Sequence, residues 1–154
     1  MRGSGGTERA APRLPNPLRR WQRRLHDGAG LVLLATGLAW LGVHYGLAHD
    51  GLPHPLEPWL MRLHGAGAMA ALFVLGLVAG AHVPNGWRVT ATPAGRRQRG
   101  LGVALCALAA LLVLTGWLLY YGVSEDSRTA TGWVHAAFGV ALAMLAWRHR
   151  RIAR

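Results

Sequence analysis

The chain has 154 residues, 52% of them hydrophobic, and seventeen basic against six acidic residues, for a formal net charge of +11. In a soluble domain that balance would point to nucleic acid. Here the charge falls in blocks between long uncharged windows, so topology accounts for it and a nucleic-acid partner is excluded. Cys106 is the only cysteine and lies inside one of those windows, which excludes a disulfide framework, covalent haem attachment and a thiolate metal cluster.

Residues 1–20, rich in Gly, Pro and Arg and without apolar periodicity, read as a disordered basic cytoplasmic lead. Residues 21–154 then form a four-transmembrane-helix domain. The uncharged windows 28–49, 63–87, 100–124 and 129–147 contain 22, 25, 25 and 19 residues. Each is long enough to cross about 30 Å of hydrocarbon as a helix.

The expected helices are 25–48, 59–83, 100–122 and 130–149. The first window could pass for a signal peptide, with Gly46-Leu47-Ala48 as a cleavage site. Its length and His44 favour a retained helix. Pro53, Pro55 and Pro58 stop the first connection, and helix 2 is expected to end before Pro84-Asn85-Gly86. Short connections force antiparallel neighbours, so the expected fold is all-α, an integral membrane up-down four-helix bundle.

All seventeen basic residues are arginine, and all but Arg62 and Arg128 lie in the N-terminal segment, the second connection or the C-terminal tail. With four spans these regions share one side, and the positive-inside rule makes it the cytoplasm, with both termini there. A bacterial inner membrane is the expected location. Asp50, Glu57, Glu125 and Asp126 collect opposite. Trp21, Trp87 and Trp147 on the inner side, with Trp59, Trp117, Tyr120, Tyr121 and Trp133 on the outer side, form an interfacial aromatic belt. Gly42 to Gly46 and Gly76 to Gly80 have the spacing of close helix packing. Gly139, one turn from His135, either packs similarly or leaves room for a flat macrocycle.

Histidine inside a membrane span is costly and needs a reason. His64 and His82 lie on one face of helix 2, and His135 and His149 on one face of helix 4. Separations of eighteen and fourteen residues correspond to about 27 Å and about 21 Å along the axes. Helices 2 and 4 run the same way and are diagonal in a square bundle. His64 therefore meets His135 at an outer level, and His82 meets His149 at an inner one, with a mismatch of about 6 Å between the pairs.

Two imidazoles approaching from opposite sides suit the axial positions of a haem iron. Zinc would need four convergent ligands, and a proton relay would use intramembrane carboxylates as well. His26 and His44 flank helix 1 at the inner and outer levels, and either could replace one of the four ligands. His26 is the stronger substitute at the inner site, and His44 could instead hydrogen-bond a propionate or a quinone. His49 and His54 read as solvent-facing loop residues. Arg62, Arg128, Arg88 and Arg148 could pair with haem propionates or anchor lipid headgroups.

Leu25-His26-Asp27, Arg62-Leu63-His64-Gly65-Ala66, Gly132-Trp133-Val134-His135 and Trp147-Arg148-His149-Arg150 resemble the small four-helix bacterial b-type cytochromes. The cytochrome b561-like proteins and a related uncharacterised four-helix haem domain are the families concerned. Ala81-His82-Val83-Pro84-Asn85-Gly86-Trp87 is more similar to the second. The resemblance implies two non-covalent haem b groups and electron exchange with quinone or a periplasmic electron-transfer protein. A carrier or anchor subunit, alone or as a homodimer or part of a larger complex, is expected rather than a complete enzyme. The competing expectation is a haem-free four-helix membrane protein, an assembly factor or small transporter component.

Overall fold

A computed structural model describes residues 20–47, 52–89 and 96–152. The predicted lead, apart from Arg20, lies outside the described residues, as do His49, Asp50 and Thr92-Pro93-Ala94-Gly95. The described chain forms four helices, α1 (Arg20–Gly46), α2 (Glu57–Val89), α3 (Arg96–Tyr121) and α4 (Glu125–Ile152). All four are long and apolar enough to cross a membrane. The sequence alone placed these four elements in order; their ends extend into the charged flanks because helix backbone continues into the interface after the apolar stretch is spent.

Local chemistry accounts for the starts of α2 and α4. The His54 ring accepts a hydrogen bond from Leu56 N through Nδ1 at 3.2 Å, while Glu57 Oε1 accepts from His54 N at 3.0 Å. These reciprocal hydrogen bonds close the turn that leads into α2, and Pro58 sits in the first turn of the helix, where an N–H has no intrahelical acceptor. His54 is thus a half-buried cap rather than the solvent-facing residue expected. In α4, Ser124 precedes Glu125 and Asp126, whose charges complement the helix dipole, while His149, Arg150 and Arg151 do so at the other end.

Pro84 does not end α2, which continues to Val89. Its ring deprives the Gly80 carbonyl of an intrahelical donor. A transmembrane helix tolerates this when neighbouring groups or water can take up the freed carbonyl, and Pro84 lies close to the arginine-rich end.

The helices pack chiefly as two hairpins, α1 with α2 and α3 with α4, joined by lesser α1–α4 and α2–α3 contacts. That connectivity makes α2 and α4 diagonal. Outright burial is sparse: Val74, at 4% exposure, is the buried hydrophobic residue among those described. Bulky side chains such as Leu31, Met69, Phe73 and Met144 face outward, as they must where lipid is the solvent. The belt aromatics are exposed at both ends, and Arg99 and Arg151 stack over Trp87 and Trp147 at 4.1 and 3.8 Å.

The glycine pattern needs a correction. A Cβ at Gly42, Gly46, Gly76 or Gly80 would meet nothing within 4 Å. These residues do not support close packing within the bundle, because their spacing puts them on faces turned away from the described neighbours. Gly139 does face a neighbour, since its Cβ would touch Leu112 at 3.9 Å, an ordinary packing contact with α3.

At the arginine-rich end Asp27 of α1 accepts from Arg150 of α4 and lies 3.5 Å from His26 Nδ1. Both members of the Asp27–Arg150 pair are about half exposed. An Arg150→Ala variant is expected to lose no more than about 1 kcal/mol, the usual range for such pairs. Thermal unfolding in detergent at low and high salt measures it: the small difference from the parent should shrink as salt rises.

Candidate functional site

The centre of the site is built from matching pieces of the two hairpins. Thr36 and Gly37 lie together on α1, and His64 faces them from α2. Thr115 and Gly116 lie together on α3, and His135 faces them from α4. Thr36 Oγ1 is 2.9 Å from His64 Nδ1, and Thr115 Oγ1 is 2.8 Å from His135 Nδ1. Both threonines are only 8% exposed, the lowest values on their helices.

The glycines have an equally specific position. A Cβ at Gly37 would lie 3.3 Å from His64 Cε1, and one at Gly116 would lie 3.4 Å from His135 Cε1. Each ring therefore rests against bare backbone on one side, with its Nδ1 at a hydroxyl. Across the diagonal the two imidazoles approach to 6.2 Å between centroids, with an interplanar angle of 68°. The expected meeting of His64 and His135 at one level is thus present in the fold, and it comes from α2 and α4 together.

The second pair is placed differently. His149 is half-buried, and its Nδ1 is buried without a hydrogen-bond partner among the described residues. His82 is exposed on α2. His26 is exposed and lies against Asp27. The contacts of His26 lead to Asp27 and, through it, to Arg150.

His44 belongs to a separate cluster at the opposite end from the arginines. Its Nδ1 is 3.0 Å from Glu57 Oε2, and its ring stacks on Trp40 at 4.5 Å between centroids. Tyr45 meets His44 edge-on and stacks on Trp133 of α4, which links the two hairpins. Glu57 is 7% exposed, with its two oxygens engaged by His44 and His54 N. A Glu57→Ala variant leaves both groups without their acceptor. The expected loss is about 1–3 kcal/mol, read as a lowered melting temperature in detergent, with Glu57→Gln falling in between.

Of the four arginines considered for anionic groups, Arg62 stacks over Trp59 at 4.8 Å, while Arg128 donates to Leu119 O and lies 3.4 Å from Glu125. Arg88 and Arg148 are exposed. Among the described residues no three His, Cys, Asp or Glu side chains converge as a metal-binding group.

The site residues that sequence reasoning passed over are Thr36, Gly37, Thr115 and Gly116. A signal was present: each of the first and third apolar helices carries one threonine, followed in both by glycine. The dipeptide gains meaning only when it is opposite a histidine 28 residues away in one hairpin and 20 in the other. No protein-family model, curated protein or solved structure matches this chain.

Proposed function

We propose that the chain is a b-type cytochrome of the bacterial inner membrane, with both termini cytoplasmic, that carries electrons across the bilayer through two haem b groups. His64 and His135 are the ligands of the outer group. His82 and His149 are the leading pair for the inner one, with His26 as the substitute. The supporting observation is the apposition of His64 and His135 from diagonal helices, 6.2 Å between ring centres. With a metal–nitrogen bond of about 2 Å and about 1 Å from nitrogen to ring centre on each side, one metal ion would fit between two imidazoles whose centres are roughly 6 Å apart.

His64 and His135 would hold a haem iron between them, whereas two imidazoles are half of what a tetrahedral zinc needs. The bare backbone at Gly37 and Gly116 and the orphaned His149 Nδ1 also fit the assignment. A haem held by two histidines would supply reversible one-electron exchange rather than oxygen activation. The chain's own work is to hold the imidazoles in register and keep water away from them. The concentration of arginine at one end supports the topology. Electrons pass at the outer face to or from a quinone or a periplasmic electron-transfer protein. His44, with Nδ1 committed to Glu57, has its other ring nitrogen for a propionate or quinone oxygen.

The test is an absorption spectrum of protein purified from membranes in mild detergent. A Soret band and a dithionite-induced α band are expected. Their absence after expression with adequate haem supply overturns the reading in favour of a haem-free membrane protein, in which the same histidines serve only as interhelical hydrogen-bond donors.

A further inference from the structure

Each threonine hydroxyl has one proton to give and two lone pairs to offer. Thr36 Oγ1 lies 2.6 Å from Val32 O and 3.3 Å from Leu33 O. Thr115 Oγ1 lies 2.8 Å from Leu111 O and 3.3 Å from Leu112 O. A carbonyl oxygen only accepts, so in both helices the hydroxyl proton is directed into the preceding turn. Toward the histidine, the oxygen can then only accept. The Nδ1 atoms at 2.9 and 2.8 Å must carry the hydrogen, and a neutral imidazole with its proton on Nδ1 has a bare Nε2.

We propose that Thr36 and Thr115 are positioning residues that hold His64 and His135 in the Nδ1-protonated tautomer, so that each ring offers Nε2 as its ligating nitrogen. That this nitrogen serves an iron rests on the function proposed above; the tautomer rests on the hydrogen bonds alone. The Thr-Gly dipeptide is one device: the hydroxyl grips the ring at Nδ1, and the missing side chain next to it admits Cε1. Its recurrence in the second hairpin, with a different connection length, gives the site two equivalent halves. A histidine that donates through its distal N–H is oriented and made a stronger base at its ligating nitrogen.

The tautomer is tested in haem-free protein labelled with ¹⁵N-histidine, in detergent micelles at a pH where the rings are neutral. The signals are assigned by their disappearance in His64→Gln and His135→Gln. Expected are a protonated Nδ1 and a bare Nε2 for both residues. Thr36→Val should redistribute the His64 proton toward Nε2 and leave His135 unchanged, and Thr36→Ser should restore the parent pattern. A parent spectrum with the proton on Nε2 overturns the proposal even if the valine variant fails to fold.

In haem-loaded protein, Thr36→Val and Thr115→Val should each raise the midpoint potential of the outer centre, because a weaker imidazole donor favours ferrous iron, and serine should reverse the shift. An unchanged potential with haem retained overturns the positioning role while leaving the cytochrome reading intact. Absence of haem from the parent overturns the cytochrome reading, and the nitrogen spectra still decide the tautomer.

Discussion

On the cytochrome reading proposed above, His64→Ala and His135→Ala are each expected to remove the outer haem, lowering the haem-to-protein ratio to about half in a two-haem protein. The size of the effect follows from the geometry. Among the described residues these two rings are brought together from diagonal helices, 6.2 Å apart, and each has a threonine hydroxyl at its Nδ1. Removing either leaves only one of the two rings, and the contacts of His44 run to Glu57, Trp40 and Tyr45 instead. Haem content by pyridine haemochrome, set against protein concentration, is the measurement. Retention of full occupancy in either variant removes the outer-site model. Added imidazole should restore the lost band in a folded bundle, which separates loss of a ligand from loss of the fold. The same series applied to His82, His149 and His26 sorts the ligands proposed for the inner group.

Gly37→Val and Gly116→Val should abolish the same centre with both histidines still in place. At Gly37 even the first carbon of a side chain would lie 3.3 Å from His64 Cε1, and at Gly116 3.4 Å from His135 Cε1. Alanine is then admitted if the ring gives by a few tenths of an ångström. Valine's branch at Cβ cannot rotate away, and the strain of about 1–3 kcal/mol typical of overpacking is relieved only by moving the ring. The expected order of haem retention is parent, then alanine, then valine, with helix content by circular dichroism unchanged. Gly42→Val and Gly80→Val serve as controls, since a Cβ at either meets nothing within 4 Å. Equal loss of haem in the controls would mean that valine acts through general helix destabilisation and not through the ring.

The glycines show where sequence pattern and packing part company. Gly42 to Gly46 and Gly76 to Gly80 have the better-known packing spacing, yet they face no neighbour in the described bundle. The glycines that do press on something, Gly37 and Gly116, are legible only through the residue opposite, and no spacing rule within one helix contains that information. Pro84 is similar. Its local chemistry argues for a helix end, but transmembrane surroundings that can satisfy the freed carbonyl let α2 continue.

By itself the sequence determined four apolar helices, their order, the arginine-rich end and the level of each histidine along its helix. These follow from hydrophobic length, charge distribution and a fixed rise per residue, all of which are properties of one segment at a time. Only the tertiary structure decided which histidines touch. It brought His64 to His135, turned His26 to Asp27 and joined His44 to Glu57. It also placed Thr36 and Thr115 at the two central rings. The physical reason is that a ring's partner depends on the rotation and separation of neighbouring helices, which are set by how two faces pack and not by either face alone.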